Sequence, residues 1–156
     1  MKLFLLRHGK ADWPDWQEPD DARPLTDEGV EEMQQVAAAL KRLKVAPGLI
    51  LSSPLPRALR TAEIAAKALG VPLEQRAELQ PGFSRRQCDA ILAGRPEFDL
   101  MIVGHEPDFS RLIRSLTGGR VKFSKAATAA VELGDETPAA RLLWLFPAKM
   151  LIRLYG

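Results

Sequence analysis

Apolar and polar positions along the chain fall into blocks, and two kinds of block recur. The first is a short run apolar on both sides: KLFLL at 2–6, LILSS at 49–53 and DLMIVG at 99–104. Such runs suit strands covered on both faces, as in a parallel sheet between helices. The second carries helical spacing. Val30, Met33, Val36, Ala37, Leu40 and Leu43 share one face of a helix that Thr26 can cap, with Asp27 and Glu28 at its positive end and Pro47 and Gly48 as the break. Pro54 and Pro56 lead into a second helix that Gly70 closes. Pro107 opens another, in which Phe109, Leu112, Ile113 and Leu116 mark one face before Gly118 and Gly119 end it. A weaker helix is expected over 84–93 and a short strand within 71–80. A polar, Pro-rich loop fills the space between the first strand and Leu25. Near the end, TAAVEL at 128–133 and RLLWLF at 141–146 flank the turn-prone GDETP and predict a hairpin.

Strands alternating with helices predict an α/β fold: a three-layer α/β/α sandwich with a mostly parallel mixed sheet, in which the late hairpin supplies antiparallel pairing. The 156 residues, 46% of them hydrophobic, suit one domain spanning 1–156 with a single sizeable core. Twenty-two Lys and Arg against 20 Asp and Glu leave a formal charge of only +2, which argues against nucleic acid or membrane partners and makes any functional positive charge local. The single cysteine, Cys88, permits neither an internal disulfide nor a thiolate metal cluster and suits a reducing cytoplasm. The N-terminus lacks a signal pattern, and no apolar run approaches the roughly 20 residues that span a bilayer, so a cytoplasmic location is expected.

Ligands of open α/β sheets collect at the carboxyl ends of the strands, and what the predicted strands deliver there is distinctive. They deliver Arg7-His8-Gly9, Ser52-Ser53 with Arg57 just beyond, and Gly104-His105-Glu106. The chain has two histidines, and both directly follow apolar strands. Arg7 and Arg57 offer planar donor forks suited to phosphate oxygens, whereas Arg60 fits a solvated surface role. Arg57 lies in the first turn of its helix and His105 just before another, where backbone N–H groups and the macrodipole also favour an anion. The predicted site is an anion pocket with two imidazoles. An unprotonated imidazole can attack phosphorus to form phosphohistidine while the cations spread the charge of the transferring group. Competing chemistries fit less well. There is no HExxH or paired metal-ligand motif, no phosphate-binding glycine loop, and Cys88 has Gly94 rather than an arginine six positions on, in a stretch with helical character.

Four segments in order, LLRHG at 5–9, RPLTDEG at 23–29, SSPLPRALRTAE at 52–63 and VGHEPD at 103–108, resemble the histidine phosphatase superfamily, and within it most closely the small SixA-like phosphohistidine phosphatases. The similarity runs from residue 2 to about 119. The resemblance implies a phosphoglycerate mutase-like fold and no metal or organic cofactor. It implies His8 as nucleophile, Arg7 and Arg57 on the phosphoryl oxygens, and His105 completing the pocket, followed by hydrolysis of phospho-His8. Larger relatives place a general acid after the third strand or just after the second histidine, where Glu78 and Glu106 fall here; Glu78 is the first choice and Glu106 the contender. Each also has a plainer role open to it, Glu78 as a solvated loop carboxylate and Glu106 as a cap for the helix opening at Pro107. The expected substrate is a phosphohistidine-carrying phosphotransfer protein. A small phosphorylated metabolite is the second possibility, and a phospho-ligand binding module without catalysis the third. The loops are too short for a substantial lid, which suits a protein side chain as substrate. KADW, directly after RHG, has no assignment beyond the rim of the pocket.

Overall fold

The structure, a computed structural model, describes residues 1–94, 97–134 and 140–156. Six strands form one mixed sheet: β1 (Lys2–Arg7), β2 (Leu49–Ser52), β3 (Leu73–Gln75), β4 (Leu100–Gly104), β5 (Thr128–Leu133) and β6 (Ala140–Phe146). Their order is β3-β2-β4-β1-β5-β6, with the first four parallel and β5 and β6 antiparallel to their neighbours. Five helices connect and cover them: α1 (Asp27–Arg42), α2 (Pro56–Leu69), α3 (Arg85–Ala93), α4 (Asp108–Thr117) and α5 (Ala148–Tyr155).

The apolar strands sort their side chains to two faces. Phe4, Leu6, Met101 and Val103 meet Met33, Val36, Ala37 and Leu40 of α1, Ala58 and Ala62 of α2 and Leu151 of α5. Leu3, Leu5, Leu100 and Ile102 meet Cys88 of α3 and Phe109, Leu112 and Ile113 of α4. This period-2 division across a central sheet produces the three layers. The helix ends follow their local chemistry. The Thr26 hydroxyl accepts the Gly29 N–H at 3.0 Å, Ser84 and Gln87 form a reciprocal capping box on α3, and Gly70 and Gly118 close α2 and α4 at φ of 70° and 78°.

Two features depart from the expected pattern. First, α1 ends at Arg42, before Pro47 and Gly48, and Lys44 takes a positive φ of 59° in the turn that follows. Second, α5 was not expected. Ala148, Leu151, Ile152 and Tyr155 have helical spacing and pack it on α1, where Arg42 Nη1 donates to the Tyr155 carbonyl at 3.3 Å. The hairpin strands fall where expected, and most of the GDETP turn lies outside the described residues. Among the described residues no helix is long and apolar enough to cross a membrane.

Candidate active site

Strand register places the two histidines side by side. Arg7 is level with Gly104, the last residue of β4, and the His8 N–H continues the ladder to the Gly104 carbonyl at 3.1 Å. His105 therefore leaves β4 beside His8, and the two imidazole centroids lie 5.4 Å apart. On the other side of β4, the Ser53 N–H reaches the Val103 carbonyl at 3.0 Å, and the Ser53 hydroxyl lies 2.8 Å from His105 Nε2. Both rings are buried, with His8 6% and His105 3% exposed. The backbone around them is closely packed. A Cβ on Gly29 would fall 2.2 Å from the Lys10 carbonyl oxygen, so the glycine in TDEG lets the start of α1 approach the loop beyond His8.

Arg57 enters from the first turn of α2, 4% exposed. Its Nη1 donates to the Asp20 carbonyl at 2.9 Å and its Nη2 faces the Asp20 carboxylate at 3.4 Å. Arg7 Nη1 donates to the Phe123 carbonyl at 3.0 Å. One hydroxyl ties these parts together: Thr61 donates to the Arg57 carbonyl at 2.7 Å and accepts the Gly9 N–H at 3.1 Å. Thr61 thus fixes the His8–Gly9 turn against the helix that carries Arg57.

The protonation states follow from burial and neighbouring charge. Burial pushes His8 down to about 4; Arg57, Arg7 and Arg23 add to this, and the bond to Gly9 opposes it. Burial, joined by the charges of His8, Arg57 and Arg7, holds His105 down at about 3, against the pull of Asp20. Both imidazoles are neutral at neutral pH. His8 Nδ1 lies 2.7 Å from the Gly9 carbonyl, which can only accept. Nδ1 must therefore carry the proton, leaving Nε2 with a free lone pair. Burial also lowers Arg7 and Arg57, as guanidiniums whose basicity leaves them charged, with Glu106 and Asp20 as the main opposing charges. Among the described residues four buried side-chain polar atoms lack a hydrogen-bond partner: Arg7 Nε, Arg57 Nε, His105 Nδ1 and Thr128 Oγ1. Three of the four belong to this cluster. No group of three or more His, Cys, Asp or Glu among the described residues could hold a metal. The buried Cys88 thiol is pushed up to about 12 by burial, which keeps it out of thiolate chemistry at neutral pH.

Residues 3–81 match the family model of the histidine phosphatase superfamily, branch 1. The phosphohistidine phosphatase SixA of Escherichia coli strain K12 is 31% identical over 152 residues, with 92% of each chain covered. The chain belongs to the histidine phosphatase superfamily. It is a phosphatase, and its fold agrees with solved members. A protein histidine phosphatase SixA complexed with tungstate superposes with a TM-score of 0.84 at 30% identity, covering 96% of this chain and 98% of that one. The alpha-ribazole phosphatase of Shigella flexneri, at 21% identity, shares the fold with a TM-score of 0.78 over 95% of this chain and 97% of that one.

In this histidine phosphatase the structure brings Arg7, His8, Arg57 and His105 together and treats the two acidic candidates differently. Glu106 is half-buried, acts on Arg7 through its charge, and accepts the Ser110 N–H at 2.7 Å, a bond in the first turn of α4. Glu78 is exposed on a 3-10 turn, Ala77–Leu79, and makes no hydrogen bond or ion pair among the described residues. That turn lies at the same edge, since a Cβ on Gly104 would fall 3.5 Å from the Leu79 carbonyl oxygen. Arg60 is exposed and faces Glu63 at 3.6 Å. Four participants had no assigned role: Ser53, Thr61, Arg23 and Asp20. Thr61 was detectable, being four residues beyond Arg57 on the same helical face. Ser53 was expected at this edge at the end of its strand, though without a role, whereas the bonds of Arg23 and Asp20 depend on loop conformation and left no comparable signal.

Proposed function

We propose that this phosphatase removes the phosphoryl group from a phosphorylated histidine on a partner protein by way of phospho-His8. The observation that carries the reading is the set of partnerless buried atoms around His8: Arg7 Nε, Arg57 Nε and His105 Nδ1. Leaving a buried donor unpaired costs about 1–3 kcal/mol, so three such groups beside one imidazole support a seat for an oxyanion. The Ser53 hydroxyl can donate to His105 Nε2, which puts the proton on Nδ1 and makes it a third donor.

In the first step the Nε2 lone pair of His8 attacks phosphorus as the phosphorus–nitrogen bond to the substrate imidazole breaks. The leaving ring departs with the bonding pair and a proton. Arg7, Arg57 and His105 hold the three phosphoryl oxygens and spread their charge through the transition state. Water then attacks phospho-His8, the phosphorus–Nε2 bond breaks, and inorganic phosphate leaves. Glu78 is our first choice for the proton donor and Glu106 the second. A substrate imidazole that is already protonated lessens the need for either. No metal or organic cofactor enters these steps.

A protein substrate is supported by the sequence relationship to SixA and by the borders of the site. Among the described residues, the helical segments in the loops at this edge are two short 3-10 turns, Asp20–Ala22 and Ala77–Leu79. This suits a side chain presented by another protein better than an enclosed metabolite. The competing reading, hydrolysis of a small phosphomonoester, uses the same four residues and has fold relatives such as the alpha-ribazole phosphatase.

Incubation with a histidine-phosphorylated carrier protein separates the readings. Wild type is expected to accelerate phosphate loss, His8→Ala to abolish the acceleration, and brief turnover to leave phosphate on His8. Rapid turnover of a small phosphomonoester with no effect on the carrier would overturn the protein substrate.

A further inference from the structure

The segment KADWPDW at 10–16 directly follows the His8–Gly9 turn and has no part in the phosphoryl steps. It contributes most of the wall of a cavity of about 590 Å³ lined by Asp12, Trp13, Pro14, Trp16, Asp20 and Arg23. The cavity borders the phosphoryl seat through shared residues. Asp20 accepts from Arg57 through its backbone carbonyl and faces the same guanidinium with its carboxylate, and Arg23 bonds the Asp20 carboxylate in turn. A substrate whose phosphoryl group lies on Arg57 therefore has its neighbouring atoms within reach of this cavity.

The cavity is open and combines the indole and prolyl surface of Trp13, Pro14 and Trp16 with three charged side chains, Asp12, Asp20 and Arg23. Trp13 Nε1 donates to the Pro24 carbonyl at 2.9 Å and Trp16 Nε1 to the Pro19 carbonyl at 3.1 Å. Both indole N–H groups are thus engaged, the rings stand 6.4 Å apart, and Trp13 remains 39% exposed. The charges are engaged as well: Asp12 pairs with Lys125, Asp20 with Arg23 and Arg57, and Arg23 also bonds the Ala11 carbonyl. An ionic ligand would only exchange its own charge contacts for these existing, largely solvent-exposed pairs, which gains little. An apolar or aromatic group would cover tryptophan and prolyl surface and leave the pairs in place.

We propose that this cavity is a second subsite, which takes an apolar or aromatic side chain of the phosphohistidine-bearing protein adjacent to the phosphorylated residue. The proposal rests on the protein-substrate reading above. An exposed Trp13 and a half-buried Trp16, each held in a fixed orientation, have the character of binding hot spots, so each indole should act on affinity for the carrier rather than on the chemical step.

Three substrates test this: a histidine-phosphorylated carrier, phosphoramidate, whose phosphorus–nitrogen bond comes with nothing to reach the cavity, and a nucleoside 5′-monophosphate. Trp13→Ala and Trp16→Ala should each raise KM for the carrier about tenfold, with kcat, and kcat/KM for phosphoramidate, changed by less than about twofold. Trp13→Phe and Trp16→Phe keep a ring face and should retain most of the carrier affinity. Equal losses on carrier and phosphoramidate, or no loss on either, would overturn the subsite. Sensitivity of the nucleotide alone would overturn the protein occupant. Failure of wild type to dephosphorylate the carrier would overturn the protein-substrate reading and the subsite together, whereas carrier turnover indifferent to the indoles would overturn only the subsite. Should an alanine variant fail to fold, the emission of Trp13 and Trp16 in Trp144→Phe protein carrying His8→Ala provides a second test. It should shift on adding carrier, and an unchanged spectrum at saturation would be the contrary result.

Discussion

The parallel strands β3-β2-β4-β1 and the antiparallel pair β5-β6 share one sheet but contribute to the site in different ways. Arg7, His8, Ser53 and His105 stand at the carboxyl ends of β1, β2 and β4, and Arg57 follows one of those ends into α2. To Arg7 and His8 the antiparallel side offers main-chain groups: the Phe123 carbonyl takes Arg7 Nη1, the Ala127 carbonyl takes the Arg7 backbone N–H, and the Ala126 N–H reaches the His8 carbonyl at 3.0 Å. Parallel strands bring all their carboxyl ends to one edge, so functional side chains accumulate there. A hairpin brings one end of each strand and serves here as a brace. The comparison implies that chemistry and stability can be damaged separately.

Arg57→Ala should produce the largest effect on chemistry, a fall in kcat/KM of about 10²–10³-fold of the kind seen on removing a charge-stabilising donor, with thermal unfolding little changed. Leu151→Ala, in the fully buried contact of α5 with α1, should cost about 3 kcal/mol in urea unfolding while the folded protein keeps its kcat. If Leu151→Ala impaired kcat as much as Arg57→Ala, the division of labour would be wrong.

Acid sharpens the same contrast. His8 and His105 titrate near 6.5 when unfolded but near 4 and 3 when folded, so between those values the unfolded chain binds more protons. Their contribution is fully present above about 6.5 and is lost as pH falls toward the folded values. Each should remove about 1.4 kcal/mol per pH unit over that interval. Urea unfolding at about pH 7 and about pH 5 should show this loss in wild type and a smaller one in His105→Gln; identical losses would place the acid sensitivity elsewhere.

The smallest effect is expected from Glu106→Gln. Glutamine can still accept the Ser110 N–H, so stability should change by less than about 1 kcal/mol, the range of a helix-terminus charge. In our assignment kcat also stays within about threefold, and a hundredfold loss would identify Glu106 rather than Glu78 as the acid.

Much of the fold was legible because KLFLL, LILS and LMIVG are apolar on both faces, which only a sheet covered on both sides can satisfy. Thr26, Gly70 and Gly118 marked helix ends through interactions spanning a few residues. The convergence of Arg7, His8, Arg57 and His105 at one edge was legible because topology, rather than side-chain detail, brings strand ends together. The short α5 was missed although its spacing was present, since eight residues after a predicted strand give a weak periodic signal. What could not be read was the web of Asp20 and Arg23. Its bonds cross between loops whose paths depend on the finished packing, and neither periodicity nor motif spacing encodes them.

Strand β1 lies between β4 and β5, both made much later in the chain. On the ribosome His8 is therefore synthesised long before either neighbour that shapes its surroundings. A nascent chain halted ahead of residue 128 would carry His8, Arg57 and His105 yet lack the strand against which β1 closes. The phosphatase should accordingly gain activity late in synthesis, once β5 has been made and can close on β1.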